Sequence, residues 1–178
     1  MSESERDPLP WYAVRVKANR ERVVSDLLEA KGFEQFVPGY PVKRQWSDRT
    51  REIFLPLFPG YVFCRFEARQ PLAILTTPGV VNFVGFGRGP EPIAPDCIRA
   101  VRQMVDSKLS VSPWPFLNVG DTVRITHGPL EGVEGILTEF KGSHRLIVSI
   151  PILQRSVACE LDGSWVRALP RFRAPRAS

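Results

Sequence analysis

Thiols, imidazoles and long apolar runs are all scarce in this chain of 178 residues. Its three cysteines, Cys64, Cys97 and Cys159, are odd in number and far apart. They lack the close pairing of a zinc or redox motif and read as buried reduced thiols. The two histidines, His127 and His144, fall in turn-like stretches with no Cys/His/carboxylate cluster beside them. Neither a G-x-S-x-G nucleophile motif nor a G-x-x-x-x-G-K-[ST] phosphate loop occurs. The expectation is therefore a protein that is not an enzyme and that needs no cofactor and no metal. Nowhere do about 18 apolar residues run together, and the opening "MSESERDPLP" has acidic residues and no apolar h-region. That predicts a soluble cytoplasmic protein with no membrane partner.

What the chain does have is enough apolar material for a packed core, 43% of its residues, and a net charge of +5 with a pI near 9.4. A basic balance favours an anionic partner, although many soluble proteins are mildly basic without binding nucleic acid. The charge is uneven. Met1 to Ser110 holds 16 Lys/Arg against 13 Asp/Glu, whereas Val111 to Val166 holds 4 against 6. The tail adds Arg167, Arg171, Arg173 and Arg176 with no acid. Between the two parts, "SPWPFLNVG" breaks any periodicity. The expected organisation is a first domain over 9–109, a linker over 110–118, a second domain over 119–168, and a basic tail over 169–178 expected to be disordered.

In the first domain "WYAVRV" is a short β-rich run, after which Asn19 offers an N-cap for a helix carrying Val23, Val24, Leu27 and Leu28 on one face. Gly32 closes that helix as a left-handed cap. Two extended arms on either side of the polar "SDRTR" predict a long hairpin with a basic tip, bearing Lys43, Arg44, Arg49 and Arg51. A short helix at "ARQPLAILTT" and a strand at "GVVNFVGFG" follow. Pro95-Asp96 then start a helix with Ile98, Val101, Val105 and Leu109 on one face. This order suits an α+β fold, an antiparallel-rich sheet with helices on one face. The second domain shows only short β-rich runs, "DTVRIT", "VEGILTEF", "HRLIVSI" and "SVACEL", which predict a small five-strand barrel.

Four motifs in order, "WYAVRV", "PLFPGYVF", "PGVVNFVGFG" and "GDTVRITHGPLEGVEGIL", resemble the NusG family of transcription elongation and antitermination factors over residues 11–166. The resemblance implies a NusG N-terminal α/β sandwich linked to a KOW domain, an SH3-like β-barrel. "PLFPGYVFCRF" and "GVVNFVGFG" look nearer the specialised, operon-directed paralogues of the RfaH kind than the housekeeping proteins. The segment between Phe66 and Val80 departs from that kind. It lacks the His-Thr-Thr motif that contacts the polymerase gate loop, and Thr76-Thr77 stand in its place. The β-branched strands and the Gly-Pro turn of the KOW segment favour a barrel over a helical refolding.

Strand alternation after Gly60 puts Val62, Cys64 and Phe66 on one face and Tyr61, Phe63 and Arg65 on the other. If the first set lines the core, then Tyr61 and Phe63 stand exposed with Phe58 near the bend. The resemblance makes such an aromatic patch a polymerase-binding surface for the clamp helices of the largest subunit. The competing reading packs all these rings in the core. The resemblance also implies contact of Lys17 and Arg20, with Arg22, to the non-template DNA strand. It implies contact of Lys43, Arg44 and Arg49 to upstream DNA. Solvated surface is the plainer reading of both clusters. In the turn "IPILQRS", Ile152 and Leu153 are implied to bind a small-subunit ribosomal protein or a termination factor. The expected whole is a monomeric elongation/antitermination factor bound to RNA polymerase. The alternative is a ribosome-associated or RNA-binding KOW protein.

Overall fold

The computed structural model describes residues 9–47, 49–87, 89–114, 120–140 and 143–169. The basic tail beyond Leu169 lies outside the described residues, as does the middle of the expected linker. The chain divides into two compact units, Met1–Ile98 and Arg99–Ser178.

The first unit runs β1 (Trp11–Val16), α1 (Glu21–Ala30), β2 (Gln35–Phe36), β3 (Gly39–Gln45), β4 (Thr50–Pro56), β5 (Tyr61–Arg65), α2 (Leu72–Leu75), β6 (Val80–Phe83), β7 (Pro92–Ile93) and the start of α3 (Pro95–Asp106). Its main sheet has the order β2-β5-β1-β6, with β7 also on β1, and all its pairs are antiparallel. β3 and β4 form a separate two-stranded sheet. One face of the main sheet is the core foreseen from alternation: Val62, Cys64 and Phe66 join Tyr12, Val14 and Val16 beneath Val24 and Leu28 of α1 and Ile74 of α2. Burying each large aliphatic side chain there is worth about 1.5–3 kcal/mol.

α1 stops as its sequence predicts. Gly32 has φ +84°, its N–H reaches Glu29 O at 2.8 Å, and Phe33 N–H reaches Leu28 O at 3.0 Å. This is a Schellman motif. Its beginning differs from expectation. Asn19 takes the left-handed conformation at φ 60°, and Arg20 occupies the cap position without a side-chain cap bond. Val24 and Leu28 are buried, while Val23 is exposed. From the last turn, Lys31 Nζ donates to Ala73 O and Thr77 Oγ1, both at 2.8 Å, and ties α1 to α2.

The expectation that aromatic rings stand exposed on the opposite face is corrected. β1 is buried continuously from Trp11 to Val14, and β5 from Val62 to Cys64, so both faces of the sheet are covered. A period of two shows which residues share a face, but not whether a second layer lies on it.

The second unit carries the remainder of α3, then β8 (Val111–Trp114), β9 (Asp121–Ile125), β10 (Glu134–Phe140), β11 (Ser143–Ile150), β12 (Arg155–Leu161) and β13 (Val166–Ala168). They make one antiparallel sheet in the order β13-β9-β10-β11-β12-β8. Among the described residues, the five strands expected over 119–168 are β9 to β13, and a sixth, β8, comes from the expected linker. β8 pairs with β12, and Pro113 is tolerated because β8 is an edge. Gln103 Nε2 of α3 donates to Pro129 O and Glu131 O at 3.1 Å each, bonding the helix to the turn after β9. The result is an α+β chain, a helix-covered antiparallel sheet followed by a mostly β unit.

Candidate functional site

The loop between β1 and α1 is held by two Pro-Gly turns. In the first, Tyr61 N–H bonds Phe58 O at 3.2 Å, with Pro59 next and Gly60 at φ +86°. That is a type II turn, which needs Gly or Asn at its third position. The second repeats it: Val80 N–H bonds Thr77 O at 3.0 Å, with Pro78 next and Gly79 at φ +96°. Each turn then accepts from the end of β1. Val16 N–H donates to Gly60 O at 2.8 Å, and Lys17 N–H donates to Gly79 O at 2.9 Å.

Glu21 completes the arrangement from the first turn of α1. It is 7% exposed, and its Oε1 accepts the Gly60 N–H at 2.8 Å. The break in the most hydrophobic run of the chain is thus a docking point for the β1–α1 loop. At Gly79 the approach is tight, since an added Cβ would lie 2.8 Å from Val24 Cγ2.

Lys17, Arg20 and Arg22 are all exposed on this braced loop and the start of α1. In register, Arg15 of β1 stands between Tyr61 of β5 and Asn82 of β6, a polar row across one end of the sheet. Tyr61 is half-buried. The structure therefore brings Lys17, Arg20 and Tyr61 onto neighbouring, bonded segments. Lys43, Arg44 and Arg49 are exposed on the β3–β4 hairpin, outside this bonded arrangement.

Two expected exposures are corrected. Phe58 and Phe63 are 1% and 0% exposed, not outward-facing. Phe63 packs edge-on against Phe58, ring centroids 5.3 Å apart, and lies 6.3 Å from Phe36. Ala13 is its partner on β1. Large rings on this face pack on each other and so escape water. In the second unit, Leu153 is also buried, at 7% exposed, whereas Ile152 is half-buried. A 3-10 turn, Pro151–Leu153, folds Leu153 inward, and left-handed Gln154 closes it through Nε2 to Pro151 O at 2.9 Å.

Among the thiols, burial pushes Cys64 up to about 12, with the Glu34 charge adding to it. Burial raises Cys159 to about 11, with a Ser107 hydrogen bond opposing and the Glu160 charge adding. Cys97 is raised by burial and the Asp96 charge, but is only half-buried. Sequence reasoning missed Glu21 and Asn82. The one available signal for Glu21 is an acid in the first turn of a helix.

The family model for "Transcription termination factor nusG" matches residues 9–102. The chain is similar to the Thermus thermophilus transcription termination/antitermination protein NusG, at 30% identity over 89% of this chain and 97% of the relative. The NusG of Pseudomonas aeruginosa is 29% identical over 88% and 96%. Among solved structures, one described as the domain interaction in Thermotoga maritima NusG covers 90% of this chain and 97% of its own. It has 25% identity and a TM-score of 0.52. These relatives carry the general NusG name, and the specialised-paralogue expectation finds no support among them. A family match over more than half of the chain, together with relatives spanning nearly all of it, places the chain in the NusG family, as a NusG-like transcription termination/antitermination factor.

Proposed function

We propose that the protein acts by binding alone, as an elongation factor seated on RNA polymerase. Its first unit engages the clamp helices of the largest subunit and nearby DNA, and its second unit recruits another protein. The observation that carries this reading is the braced end of the main sheet. Lys17, Arg20 and Arg22 stand there beside Tyr61, on a loop fixed by Gly60, Gly79 and Glu21. Cations on a backbone held by three hydrogen bonds lose little freedom on meeting phosphate, which favours binding.

Tyr61 is the direct polymerase contact in this proposal, because Phe58 and Phe63 are packed inside and Tyr61 is the half-buried ring of the three. Lys43, Arg44 and Arg49 reach DNA from the hairpin. In the second unit Ile152 offers the partially exposed apolar contact for a small-subunit ribosomal protein or a termination factor, with Leu153 anchoring its turn. Action at particular operons is a finer proposal that rests on the "PLFPGYVFCRF" and "GVVNFVGFG" motifs alone.

The test is binding of the purified chain to a reconstituted RNA polymerase elongation complex, beside free RNA of the same sequence, with Tyr61→Ala as the comparison. Binding to the complex that weakens at least tenfold in the variant, about 1.4 kcal/mol, supports the reading. Binding to free RNA alone, unchanged by Tyr61→Ala, overturns it in favour of an RNA-binding protein.

A further inference from the structure

The β3–β4 hairpin has two unlike faces. Cross-strand partners follow one register from Gly39↔Pro56 to Gln45↔Thr50, and directly opposite residues share a face. One face sets Lys43 opposite Glu52, a complementary pair. The other begins with Tyr40 opposite Leu55 and Val42 opposite Ile53, all half-buried. It then sets Arg44 directly opposite Arg51, both exposed.

The ladder extends one step further, since Trp46 N–H donates to Arg49 O at 2.8 Å. Alternation puts Trp46 and Arg49 on the Arg44/Arg51 face. Trp46 is 61% exposed, so its ring is open to solvent at the end of a basic row.

Like charges directly opposite on a ribbon are unfavourable. An anion between them reverses the sign, because two guanidiniums can then share one phosphate. An exposed indole two residues along the strand adds the other half of a nucleotide site, a face on which a base can stack. A base paired within a duplex is already stacked and does not present its face. We propose that this face of the hairpin binds an unpaired nucleotide of a single-stranded nucleic acid, with a phosphate between Arg44 and Arg51 and a base on Trp46. Arg49 adds a neighbouring backbone contact. This rests on the nucleic-acid reading of the hairpin above, and adds to it the stacking residue, the second arginine and the single-stranded state of the ligand.

The experiment uses the full chain with fluorescein-labelled oligothymidylate, oligouridylate and an abasic phosphodiester oligomer of equal length, and with a duplex of that length. The wild-type protein is expected to bind the base-bearing single strands about tenfold more tightly than the abasic oligomer. Trp46→Ala removes that difference, and Trp46→Phe keeps part of it. Arg44→Gln and Arg51→Gln weaken both kinds of single strand alike, each lowering the slope of log affinity against log salt by about 0.7. A preference for the deoxyribose or the ribose strand identifies the source and supports the proposal either way. If Trp46→Ala leaves the base-to-abasic ratio unchanged while the arginine variants still weaken binding, the stacking inference fails and phosphate contact by the hairpin stands. Duplex binding as tight as single-strand binding fails it in the same way. If no variant alters binding to any oligomer, the nucleic-acid reading of the hairpin falls as well.

Discussion

Replacing Glu21 with alanine removes one buried side chain and leaves the turn at Gly60 without its acceptor. The Gly60 N–H to Glu21 Oε1 bond is 2.8 Å long and partly buried. A hydrogen bond to a carboxylate is worth about 1.5–3 kcal/mol, and the lower end applies here because water reaches part of the site. Glu21 is also the acid in the first turn of α1, where the helix dipole contributes a further ~0.3–1 kcal/mol. The expected loss is therefore about 2 kcal/mol. With a urea slope of about 2 kcal/mol per molar, the unfolding midpoint of Glu21→Ala falls by about 1 M, read by circular dichroism and tryptophan fluorescence. Glu21→Gln keeps an oxygen acceptor and should lose about half as much. The functional readout follows the structural one, since Gly60 O also holds the Val16 N–H and Tyr61 starts the next strand. Glu21→Ala should then weaken polymerase binding more than its stability loss requires. A midpoint shift below about 0.2 M in the alanine variant would refute the claim that this carboxylate braces the turn.

Gly79→Ala should destabilise the protein by about 2 kcal/mol or more in urea titration, because it adds left-handed strain of 1–2 kcal/mol to a Cβ placed 2.8 Å from Val24 Cγ2. The thiols set a limit at alkaline pH. The pKa values of Cys64 and Cys159 are raised on folding from the ordinary 9.0 to about 12 and about 11, so their contribution is whole below pH 9 and is lost as pH rises through the folded values. Stability should fall above pH 9 by about 1.4 kcal/mol per pH unit for each thiol, and Cys64→Ala should flatten the decline measured from urea midpoints at pH 8 to 10.5. Lys17→Ala should reduce the salt slope of binding to the elongation complex by about 1, and an unchanged slope would remove Lys17 from the phosphate contacts.

The local signals in the sequence were strong wherever the backbone itself decides the outcome. Gly32 had to end α1, and the hairpin arms flanking "SDRTR" had to pair, because a left-handed glycine cap and an extended–polar–extended pattern have few alternatives. The sheet face that packs on α1 followed from alternation in "YVFCRF". Legibility ended where a second, distant segment decides. Phe63 reads identically whether or not its face is covered, and Leu153 reads as a loop residue until the 3-10 turn folds it inward. Asn19 is a good cap by type, but its backbone is left-handed at φ 60°, and the cap position falls to Arg20. β8 was hidden by Pro113, which argues against a central strand and not against an edge. The basic candidates were legible as residues, but their bracing was not, because Glu21 and the two carbonyls that hold the loop meet across long stretches of sequence.

The burial of Phe58 and Phe63 changes which variant separates folding from binding. On an exposed aromatic patch, truncating either Tyr61 or Phe63 would leave stability intact. With Phe63 fully buried between Phe58 and Phe36, Phe63→Ala opens a cavity and should cost about 3–5 kcal/mol. For a small domain that is a large share of the usual 5–15 kcal/mol of stability, so a binding defect of this variant would not separate binding from loss of fold. Tyr61 is half-buried beside exposed Arg15, and its truncation should cost about 1 kcal/mol. A partner that needed the Phe58 and Phe63 rings themselves would first have to uncover them, at about 1.5–3 kcal/mol each, which lowers apparent affinity by at least about a hundredfold. Tyr61 carries no such penalty, and that asymmetry is why it is assigned the contact. Thermal melts of the two variants decide the matter: Phe63→Ala should melt well below wild type and Tyr61→Ala close to it. A Phe63→Ala protein with the wild-type midpoint would mean that this ring is not part of the core and would return it to the binding surface.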